Sequence, residues 1–141
     1  MLNNKSKKIN SKSSLGFSLV ELLVVVAIVG ILSAIGVVSY NGYISSTKAK
    51  SAENIMHQIS LAQQEEYSSF GSYFSNGDIC DQSTTEEIGT DLFGSAGYID
   101  RDKIGYDFCA LSSGSTFTIY AESIASGCKM ELDASGNFTS C

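Results

Sequence analysis

Basic residues are scarce: nine Lys and Arg stand against fifteen Asp and Glu, for a net charge of −6. Four of the nine, Lys5, Lys7, Lys8 and Lys12, fall within the first 16 residues, which contain no acid. Only Lys48, Lys50, Arg101, Lys103 and Lys129 follow, so the remainder stands at −10 (−6 less those four positive charges). An acidic body is poorly suited to nucleic acid, which is gripped by Lys and Arg on phosphates. Proline is absent altogether, and nothing between Ser45 and Tyr67 breaks a helix. Histidine occurs once, as His57, read as a solvated or interface residue. No nucleophile–histidine arrangement and no Gly-Lys-Ser/Thr phosphate loop can be assembled. There is no Cys-x-x-Cys pair to suggest a thiolate metal site. A non-enzymatic protein without cofactor or metal is expected.

Charge is also nearly absent from Phe17 to Val38, where 22 residues carry only Glu21. As a helix this stretch spans about 33 Å, close to a bilayer core of roughly 30 Å. A helix also satisfies its own backbone polar groups, as lipid demands. A signal-peptide core would be shorter and would end in a small-residue cleavage site. The basic leader before the span places the N-terminus in the cytoplasm and the rest outside. A lone carboxylate in lipid costs about 2.5 kcal/mol or more, so Glu21 needs a partner, and no basic residue lies within the segment. Cleavage after Gly16 would create one: the free amine of Phe17, one helical turn from Glu21, could neutralise the carboxylate of a neighbouring copy.

Gly16-Phe17-Ser18-Leu19-Val20-Glu21-Leu22 resembles the processing site of type IV pilins and related pseudopilins. The likeness runs from the leader through Asn41-Gly42-Tyr43, and Gly71-Ser72-Tyr73 after an acidic, Tyr-containing turn resembles the end of the long pilin helix. The resemblance implies that a prepilin peptidase cuts Gly16–Phe17 and methylates the Phe17 amine. It implies that assembly machinery lifts the subunit from the bacterial inner membrane into a helical homo-oligomeric filament outside the cell, with Phe17 and Glu21 as assembly residues. Three regions are expected: a cleaved leader over 1–16, an apolar helix half over 17–43, and an extracytoplasmic domain over 44–141. The expected role is a structural pilus subunit serving adhesion, motility or DNA uptake. A type II secretion pseudopilin, or a minor adhesive or DNA-binding tip pilin, is the alternative. Many type IV pilins carry proline where Val38 stands. Gly30 and Gly36 suggest either close helix packing or local melting in a filament.

The expected fold is α+β, a long N-terminal helix on a small antiparallel sheet of three or four strands. Ala52, Ile55, Met56, Ile59 and Ala62 recur at helical spacing, with Lys48, Lys50, Glu53, Gln58, Gln63 and Glu65 on the polar side. The helix should end before Gly71. Residues 74–103 read as a connector with some local order, since Ser83-Thr84-Thr85-Glu86 has the form of a capping box. Ile104, Tyr106, Phe108 and Ala110 alternate with polar or small residues; Phe117, Ile119 and Ala121 form a second such run, and Cys128, Met130 and Leu132 a third. Asp100, Asp102 and Asp107 could bind calcium, but Arg101 and Lys103 interleave with them and favour a solvated loop. Asn137-Phe138-Thr139 has the form of a glycosylation acceptor.

Cys80, Cys109, Cys128 and Cys141 all follow the apolar segment, so two disulfides in an oxidising compartment are expected. Strand parity puts Cys109 opposite Phe108 but Cys128 with Met130 and Leu132, which disfavours a Cys109–Cys128 bond. Cys80–Cys109 and Cys128–Cys141 are preferred, the second resembling the disulfide-closed C-terminal loop of many pilins. Parity also says that if Phe138 faces the core, Cys141 faces out.

Overall fold

A computed structural model describes residues 16–141. The leader lysines and its other residues up to 15 lie outside the described part. Helix α1 runs Leu19–Phe70. The described residues up to Tyr40 belong to one unit, and Asn41–Cys141 form a second.

In the first unit every side chain from Leu19 to Tyr40 is exposed. Leu, Val and Ile occupy all sides of the helix, so there is no polar face to turn to water. This half is long and apolar enough to cross a membrane.

The second unit contains Asn41–Phe70 of α1, two further helices and a sheet. α2 is Gln82–Phe93, α3 is Arg101–Ile104, and the strands are β1 (Tyr106–Ser113), β2 (Thr116–Ser123), β3 (Lys129–Asp133) and β4 (Phe138–Thr139). The strands form an antiparallel meander in the order β1-β2-β3-β4. On β2 the alternation is strict: Phe117, Ile119, Ala121 and Ser123 are buried, and the residues between them are not. Phe117, Ile119 and Ala121 meet Phe108, Met130 and Leu132 of the sheet and Ala52, Met56 and Ile59 of α1 in one core.

Gln63 departs from the expected polar stripe. It is fully buried, continuing Ala52, Met56 and Ile59. Its amide acts as a strand partner: Nε2 donates to the Phe74 carbonyl and Oε1 accepts from the Phe74 N–H, both at 2.8 Å. An amide is indifferent to burial when both ends are matched. Gln63→Ala removes both bonds and leaves a peptide group without partners. About 2 kcal/mol of destabilisation is expected at roughly 1 kcal/mol per bond, read as a melting temperature lower by about 10 °C in the full chain in detergent. Unchanged melting would show that water replaces the amide at no cost.

α1 ends as its sequence predicts. Gly71 adopts φ 75°, a conformation open to glycine, and its N–H donates to the Tyr67 carbonyl. The reversed chain places the Tyr73 ring between Tyr67 and Phe117, at 4.6 and 4.8 Å between centroids.

The connector holds more order than its composition suggests. α2 has three turns, and its cap is Asp81 rather than Ser83: Asp81 Oδ1 accepts from the Thr84 N–H, and Thr84 Oγ1 accepts from the Asp81 N–H. Two polar atoms in reciprocal contact outweigh a Ser with a Glu three residues on. Ile104 belongs to α3, not to the first strand, because Asp100 caps a helical turn and Gly105 closes it at φ 77°.

The reason for this order lies at the sheet edge. β1 is an edge strand whose outward N–H groups need partners. The connector supplies them: Thr85 Oγ1 accepts from Phe108, Asn76 Oδ1 from Ala110 and Ser75 Oγ from Ser112. Asn76 also donates its own N–H to the Ala110 carbonyl.

Candidate functional site

The chain enters α1 through Gly16, Phe17 and Ser18, none of them helical and all exposed. Phe17 keeps 79% of its surface open. Ser18 caps the helix: its Oγ accepts from the Glu21 N–H at 3.1 Å, and its carbonyl accepts from Leu22. Glu21 therefore stands third in the first turn, where unpaired N–H groups and the helix dipole favour an anion. Sequence reasoning passed over Ser18, although Ser-x-x-Glu before an apolar run is a legible capping signal. Among the described residues no basic group pairs with Glu21.

Beyond Glu21 the apolar surface is continuous. Leu23, Val26, Ile31 and Ile35 are each about 60% exposed, with none of the described residues covering them. A side chain built on Gly30 or Gly36 would meet nothing within 4 Å, so no contact among the described residues requires these glycines. They do leave room for another helix to approach closely. The helix is continuous through both.

Cys80 is bonded to Cys109 and Cys128 to Cys141, with Cα separations of 4.8 and 5.9 Å. Cys109 stands opposite Tyr120 on β2, and Cys80 Sγ lies 3.7 Å from the Tyr120 carbonyl. The connector is thus pinned to the sheet. Lys129 adds a second tie, its ammonium 4.5 Å from the Tyr120 ring centre and donating to the Asp78 carbonyl. Cys141 is exposed, as parity expects with Phe138 packed on the core, and β4 ends at Thr139, leaving the last two residues free of the ladder to reach Cys128.

The acidic loop is already engaged. Both Asp107 oxygens accept from Arg101, at 2.6 and 2.8 Å, and Asp100 accepts from the Lys103 backbone and pairs with its ammonium. That pair and those hydrogen bonds hold the Asp100 carboxyl below its ordinary range. The three aspartates do not converge on a common point, and no group of metal-ligating side chains forms among the described residues. His57 is exposed. Asn137 is exposed and donates from Nδ2 to Asp133 at 2.8 Å.

The prokaryotic N-terminal methylation motif matches residues 11–37, spanning Gly16, Phe17 and Glu21. The chain is type IV pilin-like. Fimbrial protein EcpC of Eikenella corrodens is 39% identical over 56 residues, 40% of this chain and 37% of that protein. Type IV major fimbrial protein FimA of Dichelobacter nodosus is 39% identical over 46 residues, 33% of this chain and 29% of that protein. The chain thus matches about a third of the length of these curated relatives. No solved structure matches it significantly. Beyond the shared segment, the pilin-like character rests on architecture, a long N-terminal helix with a four-stranded antiparallel sheet.

Proposed function

We propose that the protein is a structural subunit of a type IV pilus, made as a precursor in the inner membrane and polymerised into a surface filament. The observation that carries this is the methylation motif leading into a helix whose apolar surface is uncovered on every side. Water does not tolerate such a surface. A bilayer accepts it before assembly, and the helices of other copies accept it afterwards. Prepilin peptidase removes residues 1–16 and methylates the Phe17 amine. That amine then pairs with Glu21 of a neighbouring copy, and pilus machinery drives the transfer from membrane to filament. The disulfides suit a protein that works outside the cell. The role is structural rather than catalytic.

Mass spectrometry of the membrane fraction tests the first step. The expected N-terminus is Phe17 carrying one added methyl. A chain beginning at Met1, or cut after the apolar run, would end this reading.

A further inference from the structure

In the second unit, α1 is electrically lopsided. Lys48 and Lys50, its basic residues, stand near the beginning, and Glu65 and Glu66 stand near the end, where the last turn has no basic residue. The helix C-terminus adds a partial negative charge of its own. Lys48 and Phe70 are about 33 Å apart along the helix, so the two ends of the unit are distinct surfaces.

Each end also has a shape. Near the first lies a cavity of about 410 Å³, lined among others by Ile44, Lys48, Tyr106 and Ile124. Clefts of about 300–1,000 Å³ hold drug-sized ligands, so this one has room for an aromatic side chain. The Lys48 stem lies against Gly105, within 3.3 Å of where a Cβ would stand, so glycine there admits it. Lys50 pairs with Glu53, Arg101 with Asp107 and Lys103 with Asp100, whereas Lys48 forms no ion pair among the described residues. Asp102 lines the same cavity without pairing with it. At the far end Phe70 is 73% exposed, because the turn at Gly71 carries Tyr73 back onto Tyr67 and leaves Phe70 outside.

We propose that the Lys48 cavity of one copy receives the Phe70 end of α1 of a second copy, with Glu65 and Glu66 answering Lys48. The inference rests on the filament reading above and names a contact that the apolar helices do not supply. Two observations favour a second copy as occupant. The Lys48 ammonium, which forms no ion pair among the described residues, is answered by the Glu65 and Glu66 carboxylates of the other end. The cavity begins at Asn41, directly after the apolar run, so copies gathered by that run carry this region with them. Such a contact joins two different surfaces of the same molecule, and it repeats as an open filament where its rotation does not close into a ring.

The test uses the full chain in a strain lacking its own subunit. Ser45→Cys at the cavity and Phe70→Cys are combined, sheared filaments are treated with a short bismaleimide, and the products are separated after denaturation. The four native cysteines are bonded and do not react. A ladder of dimers, trimers and longer products is expected from the pair and not from either single variant. Filaments of the pair without a ladder would overturn the contact. Failure of the unmodified chain to form filaments would instead overturn the filament reading, and this inference with it. In parallel, Lys48→Glu should lower filament yield about tenfold, and adding Glu65→Lys and Glu66→Lys should recover most of it. Membrane-bound protein is measured alongside as the folding control. Loss without recovery, at normal membrane levels, would count against the charge match.

Discussion

Glu21→Val is expected to leave membrane insertion and processing nearly intact while reducing sheared filament on the order of 100-fold. The two halves of this expectation have different physical sources. Insertion should survive because valine makes the segment more apolar, and the helix start should survive because Ser18 bonds the backbone N–H of residue 21, not its side chain. What the helix loses is the interaction of an anion with its first turn, about 0.3–1 kcal/mol. Assembly loses more. An incoming Phe17 amine without a counter-charge enters an apolar bundle at roughly 2.5–3.5 kcal/mol, the scale for a charge at mid-bilayer. Glu21→Gln should behave similarly, since it keeps size and polarity but not charge. Salt should matter little to a pair so excluded from water. The measurement separates membrane-bound mature protein from filament. Normal filament yield from Glu21→Val would show that the carboxylate is not the assembly determinant.

Removing the Cys80–Cys109 bond should produce the largest loss of stability. The cysteines are 29 residues apart, and the chain-entropy account assigns such a closure about 3.5 kcal/mol. For a domain of this size that corresponds to a melting temperature lower by roughly 15–25 °C. Cys128–Cys141 closes a separation of 13, for about 3 kcal/mol by the same account. Entropy alone therefore makes the two bonds nearly equal. The structure separates them. Cys109 is fully buried, and the segment that Cys80 anchors supplies the partners for the outward N–H groups of β1. Cys141 is exposed at the end of the ladder. Cys80→Ala/Cys109→Ala should thus melt well below Cys128→Ala/Cys141→Ala in the full chain, and protease should cut first between Ser72 and Asp81. Equal melting of the two variants would mean that loop closure alone matters and that β1 keeps its edge without the tether.

The sequence alone determined the long helix, its end at Gly71, the alternating strands and the candidate positions Gly16, Phe17 and Glu21. These are local matters: a run of apolar residues around one acid, a period of two, and a glycine where only positive φ will serve. Ser18 was equally legible as a cap and needed only the Ser-x-x-Glu spacing to be read. Tertiary structure decided the rest. Gln63 lies in the core because the Phe74 peptide group, 11 residues away, matches both ends of its amide. α2 begins at Gln82, and Asp81 is its cap. Thr85, Asn76 and Ser75 are ordinary polar residues until β1 presents N–H groups beside them. Asp107 is committed to Arg101 by a turn that a pattern of charges does not reveal. In each case the deciding energy belongs to a pair of groups from separate elements, and periodicity within one element carries no information about its partner across the fold.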